Sequence, residues 1–70
     1  MKPLNILSLI GSNRIIVEPE LRRNGFTLDD YGDYGEHTYG VYSGALGIRK
    51  INIKFKKNEN GEFVETVIVY

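Results

Sequence analysis

Cysteine is absent from this chain of 70 residues. Neither a disulfide nor a thiolate zinc site can staple it, so the core must come from aliphatic and aromatic side chains or be shared with a second chain. That demand is heavy for a small domain, which buries only about 60% of the surface its unfolded form exposes. Net charge is absent too, with nine Lys and Arg against nine Asp and Glu. A general attraction to DNA or anionic lipid is therefore not expected. Long apolar runs are missing as well. The start, MKPLNILSLIGSN, is broken by Asn5 and Ser8 and has neither the apolar core nor the small-residue cleavage site of a signal peptide. Nothing approaches the roughly 20 apolar residues of a membrane span. These absences predict one soluble domain over residues 1–70, cytoplasmic, with no membrane contact and with a homodimer open to it.

What is present reads as sheet. Ile51, Ile53 and Phe55 alternate with Lys50, Asn52, Lys54 and Lys56, the period of a half-buried strand. Residues 58–61, Asn-Glu-Asn-Gly, supply turn chemistry, and residues 63–70 are rich in β-branched and aromatic side chains. This predicts a C-terminal hairpin in one of two registers. A two-residue loop at Asn60-Gly61 sets Phe55 opposite Thr66 and Ile53 opposite Ile68. A turn starting at Asn58 with Gly61 as a left-handed bulge residue sets Ile53 opposite Val67 and Ile51 opposite Val69.

Residues 4–10 and 14–17 flank Gly11-Ser12-Asn13 and read as a second, N-terminal hairpin. Pro19 fits the first position of a one-turn helix that Asn24-Gly25 would stop. Thr27 and Asp30 have capping-box spacing, and Phe26 and Tyr31 that of a hydrophobic staple, so a helical turn is expected at Thr27. Gly32 and Gly35 argue against its continuing, and residues 37–42 read as a short strand. The expectation is an α+β domain: a small antiparallel sheet of four or five strands, from N-terminal and C-terminal hairpins, with one or two very short helices between.

The most unusual stretch is YGDYGEHTYGVYSGALG, residues 31–47, with four tyrosines, five glycines and the only histidine. Its glycines do not cradle phosphate: no G-x-G-x-x-G occurs, and Gly44-x-x-Gly47-x-x-Lys50 is neither a Walker loop nor the opening of a helix. His37 lies near Asp29, Asp30, Asp33 and Glu36, but one histidine cannot build the common zinc sites and the acids lack EF-hand spacing. No catalytic residue, no metal ligand and no cofactor is assigned, and the chain reads as a non-enzyme.

Charge is segregated. Residues 29–36 hold four acids and no base, whereas residues 49–57 hold five bases and no acid. An acidic patch interleaved with tyrosine fits protein docking, because Tyr is enriched at interfaces and complementary charge speeds encounter. The expected function is a small non-catalytic interaction protein, an inhibitor or modulator, binding another protein through residues 29–42. Asp29, Asp30, Asp33 and Glu36 would steer, and Tyr31, Tyr34, Tyr39 and Tyr42 would anchor. Two alternatives stand beside it. One is nucleic-acid binding through Arg49, Lys50, Lys54, Lys56 and Lys57, with tyrosines as stacking platforms. The other is a structural homodimeric accessory domain.

Overall fold

The structure is a computed structural model that describes residues 6–44 and 49–70, the side chains of residues 6 and 7 excepted. Residues 4 and 5, where the expected N-terminal hairpin begins, and residues 45–48, the end of the Tyr/Gly stretch, lie outside the described residues. A 3-10 turn, Ile6–Leu9, precedes helix α1, Arg14–Arg23. Four strands follow: β1, Thr27–Asp33; β2, His37–Gly44; β3, Arg49–Asn58; and β4, Gly61–Val69. They pair in chain order, each neighbour antiparallel, as one sheet with α1 on one face. This is the expected α+β class with a four-stranded antiparallel sheet.

Two local expectations are corrected. Arg14–Val17 do not form the second strand of an N-terminal hairpin; they are the first turn of α1. The run Ile15-Ile16-Val17 has strand propensity, but Arg14, Val17 and Leu21 recur at helical spacing and are all buried, and burial overrides propensity. Asn13 fixes the start, its side chain accepting from the Ile15 N–H at 3.1 Å. Pro19 therefore lies inside the helix, not at its first position. The N–H it lacks would have met the carbonyl of Ile15, an exposed residue where water can take the acceptor.

The stop signal at Asn24-Gly25 marks where α1 ends. Gly25 has φ of 85°, its N–H donates to the Arg22 carbonyl, and the Phe26 N–H donates to that of Leu21. The second correction is Thr27, which opens β1 and not a helix. Its capping-box spacing loses to strand pairing: β1 turns into β2 at Gly35, φ 81°, where Asp33 Oδ1 accepts the Gly35 N–H.

The C-terminal hairpin adopts the pairs Ile53–Val67 and Ile51–Val69, by a route other than the one proposed for them. The loop is the two residues Glu59-Asn60, and the register shifts at a bulge opposite Lys54/Phe55 that takes in Glu65.

Alternation sorts the sheet into two faces. Ile51, Ile53 and Phe55 of β3, Tyr42 of β2 and Val64 of β4 join Leu9, Val17, Leu21 and Phe26 in the core. The β2 glycines make room for rings on that face: a Cβ on Gly40 would fall 2.8 Å from the Tyr42 ring. His37, Tyr39 and Val41 of β2 face away from the helix, opposite Lys56, Lys54 and Asn52 of β3.

Candidate docking surface

β1 is an edge strand on which no side chain is buried. Asp29 sits in a bulge, and Asp30 Oδ1 accepts the neighbouring Tyr31 N–H. Asp33 binds Lys57 Nζ at 3.1 Å, and this is the one ion pair joining the acidic and basic blocks among the described residues. The cause is topological. β2 lies between β1 and β3, which sets the two blocks two strand spacings, about 9–10 Å, apart. Asp29, Asp30 and Glu36 thus make no ion pair among the described residues.

The four tyrosines separate. Tyr31 and Tyr34 are 48% and 73% exposed, whereas Tyr42 is 2% exposed and belongs to the core. Tyr34, in the hairpin turn, stacks on Tyr39 with ring centroids 5.6 Å apart and planes 18° from parallel. The Tyr39 ring lies across Gly32 of β1, where a Cβ would collide with it. The Tyr34 hydrogen bond, with the charge of Asp30, raises the Tyr39 phenol above its ordinary value. Beside this stack an open groove of about 330 Å³ runs over the solvent face, lined by His37, Asn52, Lys54, Thr66 and Ile68.

Of the five cations assigned to nucleic acid, Lys50, Lys54 and Lys56 share that solvent face by alternation, while Arg49 and Lys57 sit on the opposite one. Lys54 does stand across from Tyr39. Its ammonium, however, lies 3.9 Å from the Glu65 carboxylate, which also takes His37 Nε2 at 3.2 Å. Among the described residues, no three His, Asp or Glu side chains gather as a metal-holding group.

The sequence did not point to the part-buried charge network on the helix side. Arg14 Nε donates to Glu18 at 3.1 Å and Nη1 to Glu62 at 3.2 Å. The guanidinium carbon lies 4.6 Å from the ring centroids of both Tyr31 and Phe55. Thr38 donates to the same Glu62 oxygen, and the Tyr42 hydroxyl reaches Glu18 at 3.4 Å. Burial opposes the charge on Arg14, but Tyr42, Glu18 and Glu62 outweigh it and the pKa rises. Burial pushes the Tyr42 phenol up to about 12, with Glu18 adding to the shift and Arg14 opposing it. Among the described residues no buried polar atom of this network lacks a partner, so it acts as a strut, holding Tyr31 of the edge strand against the helix. The available signal was the i, i+4 spacing of Arg14 and Glu18, which is meaningful only once the segment is read as helix.

No protein-family model, no curated protein and no solved structure matches this chain.

Proposed function

We propose that this chain is a non-catalytic binding module that docks a protein partner with a basic surface through the β1–β2 hairpin. The observation that carries the reading is the exposure of Tyr31 and Tyr34 beside acids without cation partners on an edge strand. Large aromatics about half or more in water are the side chains that interfaces recruit as anchors, and they lose little rotamer freedom on binding. Asp29, Asp30 and Glu36 steer the encounter, and Asp33 is tied to Lys57 as part of the hairpin's own structure. Tyr34 and Tyr39 present one stacked apolar surface at the tip, and Tyr31 a second on the helix side. Tyr42 is not among the anchors, because it is spent on the core.

The double variant Tyr34→Ala/Tyr39→Ala tests this by affinity capture with the folded domain, checked by circular dichroism. Removal of interface anchors costs about 2 kcal/mol or more, which is roughly thirtyfold in affinity. Capture of the same partners at wild-type strength by the folded double variant defeats the assignment. So does tight, steeply salt-dependent binding of a labelled oligonucleotide, which would move the site to Lys50, Lys54 and Lys56.

A further inference from the structure

Among the described residues, the sheet's other edge is closed over half its length only. Gly11 N–H donates to the Val64 carbonyl at 2.8 Å, and Val64 N–H donates to that of Ser12 at 2.9 Å. Asn13 and Phe63 form an isolated antiparallel bridge. Residues 11–13 thus cover β4 as far as Val64. Beyond the bulge the Tyr70 N–H donates inward, to the Lys50 carbonyl at 2.9 Å. By the two-residue period, Ile68 and Thr66 also turn their backbone groups to β3, opposite Asn52 and Lys54. The N–H and C=O of Val67 and Val69 therefore point outward, and among the described residues no backbone group meets them.

The side chains along this stretch are apolar as well as uncovered. Ile68 and Val69 are each 48% exposed and Tyr70 72%, and no charged residue stands between Thr66 and Tyr70. Edges left to face water are ordinarily blunted by charge, proline or a bulge. β1 is blunted in this way by three aspartates and a bulge at Asp29, and the end of β4 is not.

We infer that a second copy of this chain pairs with this edge, β4 against β4, antiparallel about a two-fold axis at Ile68. In that register Val67 exchanges both backbone hydrogen bonds with Val69 of the partner subunit, and Val69 does the same with the partner's Val67. Ile68 then meets Ile68 of the partner subunit at a non-hydrogen-bonded position, where side chains approach most closely. Thr66 faces Tyr70 of the partner subunit. A register centred on Val67 would bring the partner's Tyr70 against Val64, whose backbone groups residues 11–12 already hold.

The occupant is a second copy because the edge is self-complementary and uncharged, and pairing it with itself closes the assembly. Pairing β4 with β1 of another copy leaves two open edges and propagates as a fibre. The pairing makes a continuous eight-stranded sheet and adds buried apolar surface to a domain whose described core is nine side chains. It uses neither Tyr34 nor the acids, and so stands apart from the docking reading.

Sedimentation of the full chain up to about 1 mM tests the inference, with amide exchange at Val67 and Val69 as the local readout. The expected result is twice the 8.0 kDa chain mass, with both amides protected and released roughly tenfold or more on dilution. Val69→Lys and Ile68→Lys, both at exposed positions, should each give a folded monomer. A chain that stays at 8.0 kDa throughout overturns the inference, whether the two amides exchange freely or are protected by another part of the same chain. A dimer that survives both lysines, or that leaves Val67 and Val69 exchanging freely, places the interface elsewhere and overturns it too.

Discussion

β1 and β4 bound the same sheet, yet they are held to it by different forces. β4 buries Val64 in the core, packs Val67 against it and is bonded along its first half by residues 11–12. Both of its acids are tied down, Glu62 to Arg14 and Thr38, and Glu65 to His37 and Lys54. β1 buries no side chain and meets the helix side with Tyr31 on the Arg14 guanidinium. Three of the four acids in its hairpin make no ion pair among the described residues. Charge thus does two jobs in one small sheet. On β4 it fixes structure, and on β1 it keeps an edge from pairing with another while leaving it accessible. The weakly anchored edge is the one equipped for a foreign partner, whereas the well-anchored one is equipped for a copy of itself.

The largest expected effect comes from cutting the strut. Arg14→Ala strands Glu18 and Glu62 on the helix side without their cation. Removing one member of a fully buried ion pair costs about 3–5 kcal/mol. These carboxylates retain some solvent contact, so about 2–3 kcal/mol is expected in urea denaturation. The loss should fall unevenly, with amide exchange in β1 rising more than in β4, since Tyr31 loses the guanidinium its ring packs on. Equal acceleration in both strands would erase the difference between the edges.

A smaller effect isolates the apolar part. Val64→Ala removes two methyl groups from a fully packed position and should cost about 2 kcal/mol. Leu28→Ala, at an exposed position on β1, should stay within about 0.5 kcal/mol. Comparable losses would mean that β1 is anchored by apolar contact after all, and that its exposure understates its role.

The sequence made the outer half of this fold legible and obscured the inner half. The β3 alternation at Ile51, Ile53 and Phe55 is a two-residue signal read over a short window, and it needs no tertiary context. The helix was hidden because Ile15-Ile16-Val17 looks like strand and Pro19 looks like a boundary. Only the burial of Val17 and Leu21, set by strands 30 residues further on, decides otherwise. The docking hairpin was legible as composition but not as geometry. Four tyrosines in one stretch gave no sign that Tyr42 turns inward while Tyr34 leaves the sheet to stack on Tyr39, because that depends on strand parity. The β4 bulge was illegible for a related reason. Val64, Val67 and Val69 satisfy more than one register, and the choice rests on what residues 11–13 cover.

The smallest expected effect separates the edges by pH. Asp33 accepts the Gly35 N–H and pairs with Lys57, and these hold its carboxyl below the ordinary value, the backbone bond contributing first and the lysine second. A depressed folded pKa gives stability that is present above the unfolded value, about 3.9, and lost as pH falls through the lower folded value. Lys57 is raised in turn, chiefly by its hydrogen bond to Asp33, so its contribution is lost only in alkali. The β1–β2 turn should therefore hold from neutral pH to about 4 and loosen below it, seen as faster exchange of the Gly35 amide while the Asp33 carboxyl titrates. Lys57→Ala should return Asp33 only part of the way towards its ordinary value, because the Gly35 bond remains. Val69, at the far edge with no Asp or Glu from Thr66 to Tyr70, should not respond to the Asp33 titration. A change at Val69 coincident with that at Gly35 would show the sheet opening as one unit, and the two edges would then share a single stability.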